Sequence, residues 1–299
     1  MLLYKSGFVT LIGRPNTGKS TLMNLFVGEK VSIISNKPQT TRNKIRSILS
    51  GDGFQIVFID TPGIHKPSSK LGVYMVKAAE NAMNEVDCIL YLVEPRKVSE
   101  ADKHIINRLG NVDTPVYLAV NKIDAVEKAE ILNVIEDYRG YYNFAEIFPI
   151  SALNAENTDD LLSAVKNILP EGPRYFPEDS VTDQPERQIA AELVREKALY
   201  YLREEVPHGV AIAIEAMKQR EDQELVDVEA TIYCEKDSHK GIIIGKKGDM
   251  LKKIGAAARL DIERLLGSPI FLQLWVKVKK DWRDSDFYLK NFGYSVRDI

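Results

Sequence analysis

Eight residues near the start of the chain, Gly13-Arg14-Pro15-Asn16-Thr17-Gly18-Lys19-Ser20, stand between the apolar run FVTLI and the helical pattern TLMNLF. This G-x-x-x-x-G-K-[ST] pattern constrains the fold more than any other feature, because it works only as a tight turn between a strand and a helix. Gly13 and Gly18 let the backbone curl so that its N–H groups converge on phosphate, Lys19 reaches the β- and γ-phosphates, and the Ser20 hydroxyl ligates Mg²⁺. Thr21 lies in the first turn of the helix, whose N-terminus favours the same anion. A glycine-rich strand-to-helix turn without a ligand is the plainer alternative, and the context makes it the weaker one.

The rest of the first half agrees with an α/β sheet. FQIVFID, CILYLVE, VYLAVNK and AEIFPIS are strand-like runs separated by helical patterns, and each ends in polar or Gly-rich residues. Such an alternation predicts a doubly wound sheet, with its ligand at the C-terminal edge of the strands. Four prolines, at 170, 173, 177 and 185, then interrupt all periodicity. That segment reads as a linker, and three units follow: a nucleotide-binding domain over 1–172, a linker over 173–187 and a second domain over 188–299. The second domain reads α-β-β-α-α-β, with a helix from about Asp249 to Leu266 and a final strand PIFLQLWVKV. Trp275 in that strand reads as sheet core rather than as a stacking platform for bases.

Two tetrapeptides at strand ends select the nucleotide. In Asn121-Lys122-Ile123-Asp124 the Asp124 carboxylate can accept from both N1–H and the exocyclic amine of guanine, a pair that adenine lacks, while the stem of Lys122 covers the base. Ser151-Ala152-Leu153 can present the Ala152 N–H to the guanine O6. Asp60-Thr61-Pro62-Gly63 ends another strand, where Asp60 holds Mg²⁺ through water and the Gly63 amide senses the γ-phosphate. Thr40 and Thr41, in the polar segment SNKPQTTRNK, lie where a switch loop supplies a second hydroxyl to Mg²⁺, and Thr41 is preferred. Together these predict GTP and GDP as ligands, with Lys19, Thr41, Asp60 and Gly63 closest to the chemistry.

These elements, in this order, resemble the translation-factor-related class of P-loop GTPases. With Gly245-Lys246-Lys247-Gly248 and the later WVKVKKDW, the whole chain resembles the Era family of bacterial ribosome-assembly GTPases. The resemblance implies a type II KH domain after the GTPase domain, with residues 245–248 as the loop that clamps successive sugar-phosphates of RNA. It implies the 3′ end of small-subunit ribosomal RNA as partner, maturation of the 30S subunit as role, a monomer, and a weak peripheral contact with the inner face of the cell membrane. It also implies that Asn16 can hold K⁺ beside the phosphates, against the alternative that Asn16 only bonds its own loop. Where small GTPases place a glutamine after D-x-x-G, this chain has Ile64, counted with the nucleotide-binding residues but unable to orient water. His65 reads as a solvated loop residue rather than a base. Slow intrinsic hydrolysis is expected.

Composition excludes other classes. Among 299 residues, 40 Lys and Arg face 43 Asp and Glu, net −3, so the chain is no bulk polycation. Charge is instead polarised within the second domain: residues 185–236 carry 7 basic and 12 acidic residues, and residues 237–299 carry 13 and 8. A basic cluster around one loop of a near-neutral domain fits a polyanion reader. No apolar run reaches the roughly 18 residues of a membrane span, and the start lacks the pattern of a signal peptide, so a cytoplasmic location is expected. Cys88 and Cys234, each alone in an apolar stretch, are expected as buried free thiols. The alternative from another class is an RNA-binding scaffold that holds GTP with negligible turnover. An ATP-dependent kinase is disfavoured by Asn121–Asp124.

Overall fold

The computed structural model describes residues 4–84 and 86–294. Strands β1 (Lys5–Gly13), β2 (Ile45–Gly51), β3 (Phe54–Asp60), β4 (Cys88–Val93), β5 (Val116–Asn121) and β6 (Glu146–Ile150) form one sheet in the order β2-β3-β1-β4-β5-β6. All pairs are parallel except β2 with β3. Every residue of β4 and β5 is buried, as a parallel sheet covered on both faces requires. Helices α1 (Lys19–Val27) and α5 (Thr158–Ile168) pack one face through Leu22, Phe26, Leu161 and Val165. Helices α2 (Lys70–Asn81), α3 (Glu100–Leu109) and α4 (Lys128–Arg139) pack the other through Ala79, Ile105 and Val134. The P-loop, Asp60, Asn121 and Ile150 all fall at the C-terminal ends of strands, so one edge of the sheet carries the site.

The antiparallel β2 departs from the sequence expectation, which passes from the polar loop directly to FQIVFID. Its sequence IRSILSG buries Ser47 beside Ile48, so neither alternation nor a continuous apolar run marks it. As an edge strand it would expose unpaired backbone groups. The segment 173–187 covers it: Ile48 N donates to the Val181 carbonyl at 2.9 Å, Thr182 Oγ1 donates to the Arg46 carbonyl at 2.6 Å, and Arg46 pairs with Asp183 at 2.8 Å.

The second sheet holds β7 (Ala211–Gln219), β8 (Val226–Cys234) and β9 (Ile270–Val278) in the order β7-β8-β9, antiparallel then parallel. Helices α6 (Glu186–Tyr201) and α8 (Asp249–Leu266) cover one face through Leu193, Val194, Ile254, Ala258 and Ile262. Helix α7 (Asp237–Ile244) joins β8 to the Gly245–Gly248 loop, and α9 (Asp286–Asn291) closes the described chain. Trp275 corrects the reading of its strand as core: it is 42% exposed, because Phe271, Gln273, Trp275 and Lys277 share the outer face while Ile270, Leu272, Leu274 and Val276 face the helices. The buried tryptophan is Trp282, fully covered. Cys88 and Cys234 are buried and free. No helix among the described residues is long and apolar enough to cross a membrane.

Candidate functional site

The P-loop backbone takes the form its sequence demands. Gly13, Asn16 and Gly18 have φ of 149°, 66° and 97°. Gly18 opens α1 in the left-handed region, and a Cβ there would stand 2.2 Å from Asn121 Nδ2. Lys19 is buried beneath the loop, its Nζ donating to the carbonyls of Arg14 at 2.8 Å and Gly13 at 3.2 Å. Burial lowers its pKa to about 8, and Asp60 partly opposes that.

Ser20, Thr41 and Asp60, separated by up to 40 positions, meet at one point. Ser20 Oγ donates to Asp60 Oδ2 at 2.6 Å and lies 3.0 Å from Thr41 Oγ1, which donates to the same Oδ2 at 3.3 Å. Thr40 turns away and donates to the Lys37 carbonyl at 2.6 Å, so of the two threonines only Thr41 meets Ser20 and Asp60. Ser32, which the sequence reading missed, donates to Asp60 Oδ2 at 2.8 Å. It stands in no motif, and only its buried place after Val31 brings it there. The other carboxylate oxygen, Asp60 Oδ1, is buried with no hydrogen-bond partner. Burial raises the Asp60 pKa, while Lys19 and the three hydroxyls hold it down. A hard cation with oxygen ligands fits this donor set: two hydroxyls and an incompletely satisfied carboxylate.

Beside this cluster a cleft of about 600 Å³ is lined by Pro15, Asn16, Gly18 to Thr21, residues 33–36, Gln39 to Thr41, Gly63 and Lys122. Gly63 touches the P-loop so closely that a Cβ there would stand 2.5 Å from Pro15 N. Asn16 reaches across the cleft, Nδ2 donating to the Asn36 carbonyl at 2.7 Å, so it bonds the facing loop rather than its own. His65 is partly buried, 3.1 Å from Gln39 Nε2 and 2.8 Å from the Gly63 carbonyl, and so joins the two loops that flank the cleft.

Several expected residues point elsewhere. Arg14 turns to α3, meeting Asp102 at 3.2 Å and Ser99 at 3.1 Å. Thr61 Oγ1 donates to the Leu11 carbonyl at 2.6 Å, and Thr17 Oγ1 to the Arg14 carbonyl at 3.1 Å. Pro62 is buried. Ile64 sinks into the core beside Ile12 and its N–H donates to the Gly13 carbonyl at 3.1 Å, so neither its side chain nor its amide faces a ligand.

At the far end of the cleft Lys122 adopts φ 68° and pairs with Glu94 at 2.6 Å. Asn121 ties the strands together: Nδ2 donates to the Thr17 carbonyl at 2.8 Å, and Oδ1 accepts from Ala152 N at 2.9 Å. The Ala152 amide, expected to face a base, is thus engaged by Asn121. Asp124 is exposed rather than buried, and its Oδ1 accepts from Ser151 Oγ at 2.5 Å. Leu153 stands exposed beside it.

In the second domain the Gly245–Gly248 loop joins α7 to α8, with Lys246 and Lys247 exposed. Gly245 and Gly248 have φ of 71° and 83°, and a Cβ on Gly245 would stand 2.7 Å from Met250. Next to the loop lies an open groove of about 760 Å³, lined by Gly248, Leu251, Lys252, Gly255, Ala256, Arg259, Leu272 and Leu274. A flexed loop of lysines bordering an apolar trough is suited to phosphates on one side and bases on the other.

Residues 8–122 match the family described as 50S ribosome-binding GTPase, and residues 205–283 match the KH domain. The chain is 58% identical over 295 residues to GTPase Era of Clostridioides difficile, covering 98% of this chain and 99% of that one. To GTPase Era of Alkaliphilus metalliredigens it is 57% identical over 293 residues, covering 97% and 99%. Among solved structures, a tyrosine-to-alanine variant of Aquifex aeolicus Era bound to GDP·AlF4⁻ superposes with a TM-score of 0.94 at 41% identity, over 98% of this chain and all of that one. Era in complex with MgGDPNP and nucleotides 1506–1542 of 16S ribosomal RNA gives 0.95 at 40% identity, with the same coverage.

Proposed function

This chain belongs to the Era family of GTPases, and on that premise we propose that it is a Mg²⁺-dependent GTP-hydrolysing switch that binds the 3′ end of small-subunit ribosomal RNA and assists 30S maturation. The observation that carries the reading is the meeting of Ser20, Thr41 and Asp60 above buried Lys19. In it, residues 1–172 form the GTPase domain, 173–187 the connection and 188–299 the RNA-binding KH domain.

Ser20, Thr41 and Asp60 would together hold Mg²⁺. When bound there, it would supply charge that offsets the negative charge developing on the phosphates. Lys19 contributes a second cation to the β- and γ-phosphates, and the P-loop amides cradle them without reorganising. The Gly63 amide, held against Pro15, registers the γ-phosphate. Asp124 accepts from the guanine edge, Lys122 covers the ring, and Ser151 keeps the carboxylate turned toward it. Ile64, locked in the core, orients no water, so turnover without a partner is slow. Asn16 would hold K⁺ beside the phosphates through its side-chain oxygen, its Nδ2 being engaged by the Asn36 carbonyl. Lys246 and Lys247 grip RNA phosphates while the groove at Gly255 accepts bases. The Era structures with bound nucleotide and with 16S RNA, matched over their whole length, support both halves of this reading.

The test is GTP turnover by the full-length protein, with and without a fragment of the 16S RNA 3′ end, in K⁺ and in Na⁺ at equal ionic strength. Turnover is expected to exceed that of Asp60→Ala, to rise with the fragment and to be faster in K⁺. No turnover above the Asp60→Ala control leaves the scaffold alternative, and equal rates in the two salts remove the K⁺ role alone.

A further inference from the structure

Thr41 is held beside Ser20 and Asp60 from outside its own domain. Arg195 on α6 is 1% exposed, and its Nη2 donates to the Thr40 carbonyl. On the other side Arg42, also 1% exposed, donates from Nη1 to the Val210 carbonyl at 2.7 Å and from Nη2 to the His208 carbonyl at 3.0 Å. Its guanidinium lies 5.6 Å from the centre of the Trp282 ring. Both neighbours of Thr41 are therefore fastened to the KH domain while its hydroxyl meets Ser20 and Asp60.

We propose that the KH domain takes part in GTP hydrolysis through Arg195 and Arg42, positioning residues that hold Thr41 at the Ser20–Asp60 cluster. This rests on the reading of that cluster as the Mg²⁺ site. Two features favour positioning over mere adhesion between domains. Buried guanidinium groups are a costly way to join two surfaces, since apolar residues of similar size do so at least as well. Arg195 Nη1 and Arg42 Nε are moreover buried without partners, so the interface accepts incomplete satisfaction in order to place a donor on each flank of one residue. Because adjacent Cα atoms are held about 3.8 Å apart, fixing positions 40 and 42 leaves position 41 little freedom.

The test measures, for the full-length protein, binding of fluorescent GDPNP and fluorescent GDP across a Mg²⁺ titration, together with kcat and KM. Thr41→Ala serves as the control, Arg195→Met removes the donor at similar volume, and Arg195→Lys restores one. Arg195→Met is expected to raise the Mg²⁺ concentration for half-maximal GDPNP binding about tenfold, the worth of one hydrogen bond from a charged donor. It should lower kcat more than it raises KM, leave GDP affinity within about twofold, and be partly rescued by Arg195→Lys. A shifted Thr41→Ala beside an unshifted Arg195→Met overturns the positioning role. No shift in either overturns the reading of Thr41 as a metal ligand. If Arg195→Met does not fold, Arg42→Gln takes its place, and an unchanged Mg²⁺ requirement there overturns the proposal equally.

Discussion

Lys19 is the residue whose environment makes the sharpest solution prediction. Its ammonium is buried and its pKa lowered to about 8, so above that pH the nucleotide-free protein carries it neutral. Phosphates beside it favour the charged form, and binding must then take up a proton. GDP affinity is accordingly expected to fall as pH rises from about 8 to 9, by up to about tenfold, with heats of binding that depend on the buffer's ionisation enthalpy. A flat affinity over that range would show that Lys19 stays charged in the free protein. The motif residues were legible because phosphate and guanine chemistry demands particular side chains at short spacings. Residues outside such spacings were not: Ser32 reaches Asp60 through a loop, and Arg195 reaches Thr40 across 155 positions to a backbone carbonyl that any residue would offer. Membership of a motif also says nothing about where a side chain turns, which is why Arg14 and Ile64 leave the cleft.

At the scale of elements, α8 and β9 together line the groove. A Cβ on Gly255 would stand 3.2 Å from Leu274 Cδ1, so the floor of the groove exists because that helix position carries no side chain. Gly255→Val should fill it and lower affinity for the 16S fragment about tenfold or more while leaving the salt dependence of binding unchanged, since no phosphate contact is lost. Lys246→Asp with Lys247→Asp should instead flatten that dependence. Filter binding at several salt concentrations separates the two, and an unaffected Gly255→Val would move the bases off this groove. Helix α8 begins at Asp249 and ends at Leu266 as the sequence led one to expect, because glycines punctuate both ends in the left-handed region. The alternation of β9 was legible too, but not which residues it covers: Trp275, read as core, shares the exposed face with Gln273 and Lys277. Strand β2 was not, since its inward Ser47 breaks the pattern that would announce it.

For the whole molecule, the two domains share a cluster that neither owns. Leu71, Tyr74 and Met75 of α2 pack with Ala211, Trp282, Leu289 and Tyr294. Trp282 also donates from Nε1 to the Gly209 carbonyl at 2.8 Å. Trp282→Ala should cost about 3–5 kcal/mol and be felt on both sides of this contact. In calorimetry the variant is expected to separate into two transitions, of which GDP raises only that of the GTPase domain, and the unaltered protein is expected to show them merged. A single merged transition in the variant would mean that the domains are coupled elsewhere, for instance through Lys30, which pairs with Glu196 at 2.7 Å and Asp261 at 3.0 Å. The bonds from Val181, Thr182 and Asp183 to β2 have a further effect. They anchor the connecting chain almost to the first residue of α6 at Glu186, so the tether able to swing freely is only a few residues long. A tether that short keeps the separated domains at an effective concentration of about millimolar or higher. Contacts far too weak to join two independent proteins therefore suffice to redock them, and an open arrangement lasts only while a bound competitor stands between them.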